Sequence, residues 1–91
     1  MPQIDIATGI VTNGPIIVNT QFQWVNRSAT ITCHVSATPA WFNPNPCSVN
    51  PNSSATATAT AIGTWSYASG CLEQGSNPRI PVSGHPGPAK K

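Results

Sequence analysis

Residues 21–26 read QFQWVN, and the alternation within this stretch decides the fold. Phe22 and Trp24 occupy one set of alternate positions, and two glutamines occupy the other. Because successive side chains of a strand point to opposite faces of a sheet, this period of two predicts a half-buried β-strand. We expect the aromatic face to pack against the core and the glutamine face to meet water. The strand is predicted to end at Asn26, where a polar turn follows.

The next segment, TITCHV at 30–35, has the same period. Ile31, Cys33 and Val35 are expected to point inward, while His34 faces the opposite side. A solvent-exposed histidine is therefore the first interpretation of His34.

Two later segments extend the pattern. Residues 54–61 alternate alanine with serine or threonine, which predicts a strand with one small methyl face and one hydroxyl face. Such a methyl face would let large side chains approach closely. After a glycine turn, Trp65 and Tyr67 share a face, and residues 79–82, RIPV, form a short closing strand.

The composition supports an all-β fold. The 91 residues include eight isoleucines and six valines against one leucine, and β-branched side chains favour strands. Ten prolines and seven glycines interrupt the chain too often for long helices. We predict a small Greek-key β-sandwich of six to eight short strands, formed by a single domain over 1–82. Residues 83–91 are expected to be a disordered tail of proline, glycine and lysine.

Residues 36–53 are rich in proline and asparagine and are predicted to form one long loop. Trp41, Phe42 and Cys47 are expected to hold this loop in place. The aromatic pair is also the best candidate for a contact surface, with capping of one end of the sandwich as an equal alternative.

In order along the chain, these segments resemble the cupredoxin-like sandwich family. The resemblance is carried by QWVN at 23–26, by the alanine–threonine strand leading into GTWSY at 63–67, and by RIPV at 79–82. It covers roughly residues 10–82 and implies a cupredoxin-like fold, with an immunoglobulin-like sandwich as the alternative.

The copper ligands of that family are not retained. The resemblance places the ligand cysteine at Ser69 and the first histidine near 29–30, where none is present. A displaced set consisting of His34, Cys71 and His85 is the only metal site that we can assemble. The resemblance therefore implies the fold and argues against electron transfer, and no cofactor is expected.

Three cysteines in a short chain predict one disulfide and one spare thiol, the alternative being three buried free thiols. Our first choice is Cys47–Cys71, because both residues are expected in loops. The second choice is Cys33–Cys71, because the strands that carry these residues are near neighbours in such a sandwich.

Charged residues are few: four basic and two acidic side chains give a net charge of +2. This excludes a nucleic-acid-binding surface, and no apolar run is long enough for a membrane span. Asp5 and Glu73, the only acids, lie in distant segments, so we do not expect an enzyme. Asn26 and Asn52 each begin a glycosylation acceptor pattern.

These observations predict a non-catalytic structural or binding module that is secreted or on a surface and able to self-assemble. Its partner is expected to be another protein or its own copy, through sheet edges or loops. The alternative is a small copper carrier or metal chaperone with a degenerate site. We expect an extracellular, periplasmic or cell-surface location, with the leader absent from this chain, while a cytoplasmic location stays open.

Overall fold

The computed structural model describes residues 1–84, which form eleven short β-strands and contain no helix. Four of these strands have only two residues, which is why their number exceeds the six to eight expected. The strands are β1 Gln3–Asp5, β2 Val11–Thr12, β3 Ile16–Ile17, β4 Gln21–Asn26, β5 Cys33–Ser36, β6 Phe42–Asn43, β7 Cys47–Val49, β8 Ser53–Ala59, β9 Gly63–Trp65, β10 Ala68–Ser69 and β11 Ile80–Ser83.

The strands form three sheets in a compact β-structure. One sheet has the order β2-β1-β4-β8-β6, the second β10-β5-β7 and the third β3-β11-β9. The all-β prediction is confirmed. Within the largest sheet, β1 runs parallel to β4, whereas β8 runs antiparallel to it.

Strands β4 and β8 are the centre of the largest sheet. Their register places Phe22 opposite Ala57 and Trp24 opposite Ala55, so each ring on β4 has a methyl group as its neighbour on β8. Phe22 and Trp24 are fully buried. The alternation in 21–26 is confirmed. The structure shows that the alanines are the inward side chains of β8, where only a small side chain leaves room for a ring beside it.

Trp24 is the centre of an aromatic cluster. Four rings surround it in edge-to-face geometry, with centroid distances of 5.3 Å to Phe22, 5.8 Å to Trp41, 5.1 Å to Phe42 and 4.8 Å to Tyr67. Each such pair contributes about 1 kcal/mol beyond the area it buries. These five rings form the aromatic part of the core, which also contains buried aliphatic side chains such as Ile4, Ile6 and Ile80.

The expectation that Trp41 and Phe42 form a contact surface is wrong. Both side chains are buried, with exposed fractions of 0% and 1%. Phe42 lies on β6, which pairs with the end of β8, and the Trp41 indole Nε1 donates a hydrogen bond to the Ser66 carbonyl at 2.9 Å. Burial of their large apolar area in the core outweighs any gain from exposing them.

Residues 36–53 are not one long loop. They contain β6 and β7, and the side chain of Asn45, which lies between these two strands, binds the backbone of Ala37, which precedes β6. The Asn45 side-chain amide donates to the Ala37 carbonyl at 3.0 Å and its oxygen accepts from the Ala37 amide at 3.2 Å. This double hydrogen bond satisfies backbone groups as a strand partner would.

The strand predicted at 30–35 begins later, at Cys33, and Ile31 is 58% exposed rather than inward. The Ser28 hydroxyl accepts from the Thr30 and Ile31 amides, so it holds this stretch as a turn. At the other end of the domain, Ser83 belongs to β11 and pairs with Ile17, so the predicted tail begins inside a strand. The rest of that predicted tail, from residue 85, lies outside the described residues.

Tyr67 joins the aromatic cluster to β1. Its hydroxyl donates to the Ile6 carbonyl at 2.6 Å, and the Asp5 carbonyl lies 3.3 Å away. Burial, and to a lesser extent the negative charge of Asp5, raises the pKa of Tyr67 above its ordinary value.

We expect the free energy of unfolding to fall as the pH rises above about 10. In that range the unfolded chain ionises Tyr67 while the folded chain keeps it neutral, so unfolding gains about 1.4 kcal/mol per pH unit until the folded pKa is reached. Urea unfolding followed by tryptophan fluorescence measures this loss. Because the chain has one tyrosine, phenolate absorbance should appear only with unfolding.

The control is Tyr67→Phe, which should be less stable at neutral pH but should lose less stability between pH 10 and 12. An equal loss in both proteins would contradict the assignment to Tyr67.

Candidate interaction surface

Arg27 leaves the sheet at the end of β4 and is 71% exposed. Its Nε lies 3.6 Å from the Asp5 carboxylate, whose other oxygen accepts from the Ala7 amide at 3.2 Å. An exposed ion pair at this distance contributes little to stability. The guanidinium therefore keeps most of its five N–H donors available to a partner.

The buried side chain of Asn26 holds this end of the sheet together. Its amide donates to the carbonyls of Ile31, Val49 and Asn50 at 2.7, 3.0 and 3.1 Å, and its oxygen accepts from the Ser28 amide at 2.9 Å. One side chain thus joins the turn after β4 to the end of β7. Arg27 projects from a rigid support as a result.

The structure joins Cys33 to Cys71 by a disulfide with a Cα–Cα distance of 5.7 Å. The first choice, Cys47–Cys71, is wrong, and the second choice is the pair that forms. Strand register explains this outcome. Ser69 pairs with Val35 in the antiparallel β10–β5 ladder, so continuing two residues brings Cys71 opposite Cys33.

Cys47 is a free, buried thiol on β7, where it pairs with Val35 and points into the core. Burial raises the pKa of this thiol. Because the thiolate is the reactive form, Cys47 behaves as a small apolar side chain in the folded protein.

Beside the disulfide lies a cleft of about 230 Å³. It is lined mainly by apolar groups, including Ile6, Ala7 and both disulfide cysteines, and Arg27 borders it. A second depression also includes Arg27 and is lined by Ile10, Thr12 and Val25 among others. Arg27 therefore lies between two shallow, partly apolar depressions.

Two exposed aliphatic side chains lie near Arg27: Ile10 lines the second depression, and Ile31 follows Arg27 in the turn after β4. Ile10 is 60% exposed and Ile31 is 58% exposed. Ile62, which is also exposed, follows β8 and lies at the opposite end of the sheet, where Thr58 pairs with Gln21. Two of the three exposed isoleucines in residues 1–84 thus lie close to Arg27.

Glu73 lies at the same end, because its backbone amide donates to the Ala7 carbonyl at 2.9 Å. Of the four charged side chains in residues 1–84, three are therefore at this end, and the fourth, Arg79, lines a separate depression with Thr64 and Trp65. Asp5 and Glu73 are distant in the sequence, but the fold brings them to the same end of the largest sheet as Arg27. We call the exposed set Ile10, Arg27, Ile31 and Glu73 the Arg27 end.

The proposed metal ligands do not fit a copper site. The Cys71 sulfur is bonded to Cys33 and supplies no thiolate. His34 is exposed on the face of β5 opposite the cysteine, with its Nδ1 2.8 Å from the Ser48 hydroxyl. His85 lies outside the described residues, and residues 1–84 contain no group of three or more metal-ligating side chains.

The two glycosylation patterns have different environments. Asn26 is 3% exposed and its amide nitrogen donates three hydrogen bonds, so a glycan there is incompatible with the folded structure. Asn52 is exposed in the turn between β7 and β8.

Comparison of the chain with models of known families, with curated proteins and with solved structures finds no significant match. The cupredoxin-like resemblance stays a prediction. No helix within residues 1–84 is long and apolar enough to cross a membrane.

We expect Asn26→Ala to lower the free energy of unfolding by about 2–3 kcal/mol, because it leaves buried carbonyls without a donor. Urea unfolding measures the change. Asn50→Ala is the matched control, since Asn50 is exposed, and it should change stability by less than about 0.5 kcal/mol. Equal effects of the two substitutions would contradict the role given to Asn26.

Alkylation should distinguish the two cysteine pairings. The folded protein should react slowly, because Cys47 is buried and protonated. Unfolding without a reductant should expose one reactive thiol, which peptide mapping should locate at Cys47, and adding a reductant should expose all three. A label on Cys33 before reduction would refute the Cys33–Cys71 bond.

Proposed function

We propose that this protein is a non-catalytic structural or binding module that contacts a protein partner through the Arg27 end. The observation that carries the proposal is the coincidence of two exposed isoleucines, one accessible guanidinium and a partly apolar cleft in one place. Elsewhere, exposed positions are mostly serine, threonine, asparagine, glutamine and proline.

Protein interfaces favour this combination of groups. Arginine is enriched at binding hot spots, where an apolar surround excludes water and strengthens its hydrogen bonds. Isolated exposed isoleucines are ordinary on protein surfaces. Here, however, Ile10 lines a depression that also includes Arg27, and Ile31 follows the same arginine in the turn after β4. A partner's side chains could fill the depressions beside this arginine.

The support beneath this surface also favours binding. The Cys33–Cys71 disulfide and the four hydrogen bonds of Asn26 fix the turns that present Arg27 and Ile31. A surface that is already ordered loses little conformational entropy when a partner binds. An ordered surface of this kind favours binding of a partner over catalysis that requires conformational change.

Binding by strand addition at a sheet edge receives less support than binding at the Arg27 end. Of the six outer strands, β2, β3, β6 and β10 have two residues each, and β7 and β9 have three. Short edge strands offer few backbone groups to an added strand, and proteins use them to prevent such pairing. The loops at the end of the domain are therefore the better contact region.

The disulfide supports an oxidising location, which is outside the cytoplasm for most proteins. In the chain-entropy description, a cross-link spanning 38 residues stabilises the fold by about 4 kcal/mol. We therefore propose an extracellular, periplasmic or cell-surface location, where this contribution would persist.

Site-specific photo-crosslinking tests the proposal. A photoreactive amino acid replaces Ile31 in the full chain, which is then illuminated in the cells that produce the protein. We expect an adduct of defined mass, because a partner at the Arg27 end would cover this position. The matched control carries the same group at Ile62, which is equally exposed at the opposite end.

Adducts that form at position 31 and not at position 62 would support the Arg27 end as the binding surface. Equal labelling at both positions, or none at either, would contradict it. Both variants should keep the stability of the original chain, since neither side chain is buried.

A further inference from the structure

We propose that the partner at the Arg27 end is a second copy of this chain, bound about a two-fold axis that passes over the cleft beside the disulfide. Arg27 of each copy would form an ion pair with Glu73 of the other, and Ile10 and Ile31 would pack around these pairs. This inference rests on the proposed function, to which it adds the identity of the partner.

The first argument is charge self-complementarity. A two-fold interface brings the same patch of both copies together, so a group on one side of the axis meets a different group across it. Arg27 and Cys71 both line the cleft, and Glu73 follows Cys71 by two residues. The Glu73 amide binds the carbonyl of Ala7, which also lines the cleft, and Glu73 forms no ion pair with Arg27 of the same copy. The cation and the acid thus lie near one depression and stay free for reciprocal pairing between copies.

The second argument is that both groups are available. The Arg27 side chain is 71% exposed and has a single long contact with Asp5. Glu73 is exposed, and its carboxylate has no hydrogen-bond or ion-pair partner within residues 1–84. A planar guanidinium can bind a second carboxylate through two parallel hydrogen bonds while it stays close to the first.

The third argument is the low charge of the rest of the molecule. The chain has a net charge of +2 and only six charged side chains. Two copies therefore repel each other weakly, and nothing but the Arg27 end offers both signs of charge together with exposed aliphatic groups in residues 1–84. The cleft and its flanks supply the apolar area that exposed ion pairs alone would lack.

Charge reversal provides the test, with purified protein at low ionic strength and sedimentation as the measurement. The original chain should show a concentration-dependent dimer. Arg27→Glu and Glu73→Arg alone should each weaken dimerisation about tenfold or more, because each places like charges opposite one another. Circular dichroism should show that both variants remain folded.

The decisive measurement is a mixture of the two single variants. One carries acidic groups at 27 and 73 and the other carries basic groups at both, so a mixed dimer has two opposite-charge pairs. We expect the mixture to dimerise more strongly than either variant alone. The double variant R27E/E73R should likewise recover dimerisation, and added salt should weaken all of these dimers.

Arg79→Glu is the matched control for Arg27→Glu, since it makes the same change in net charge at a depression that includes neither Arg27 nor Glu73. It should leave dimerisation within about twofold of the original. A chain that stays monomeric at all concentrations, or a mixture that associates no better than its components, would overturn the inference.

The photo-crosslinking result separates this inference from the proposed function. An adduct at position 31 with twice the mass of the chain supports both. An adduct with a different protein, together with a monomeric purified chain, refutes the second-copy inference and leaves the binding function in place. The absence of any adduct specific to position 31 refutes both.

Discussion

Phe22 and Trp24 lie directly opposite Ala57 and Ala55 on the neighbouring strand, and the rest of the core depends on the space that these alanines leave. The indole of Trp24 fills that space and contacts four other rings. Larger residues on β8 would displace the rings, because protein cores are packed too tightly to absorb an added side chain without strain. A domain with few apolar residues thus concentrates its packing in one aromatic cluster.

The same strand connects the core to the surface. Strand β4 is buried along one face through Asn26, whose side chain then satisfies carbonyls from two other segments. The next residue, Arg27, is exposed. The change from core to exposed surface therefore takes place within two residues, and the buried amide of Asn26 connects the two regions by hydrogen bonds. The binding surface that we propose at the Arg27 end would therefore be supported by the hydrogen bonds of Asn26.

Strand register determines which two of the three cysteines form the disulfide. Cys33 and Cys71 meet because β10 pairs with β5, whereas Cys47 lies on β7 at the other edge of the same sheet and is buried. Assigning Cys47 and Cys71 to loops made them plausible partners, but the chain between them forms strands whose order separates them. The positions of Trp41 and Phe42 also depended on strand pairing. Their proline-rich surroundings suggested exposure, but Phe42 pairs with β8 as part of β6, and both rings are buried in the core.

By itself, the sequence determined the all-β class, the inward face of 21–26, the alternation of the alanine–threonine strand, and the presence of one disulfide. These features follow from local periodicity and composition, because side-chain alternation is a property of each strand alone. The tertiary structure alone decided which cysteines pair, that Ile31 is exposed, and that Asp5, Arg27 and Glu73 gather at one end. Those outcomes depend on register and sheet order between residues distant in sequence, which no local pattern encodes.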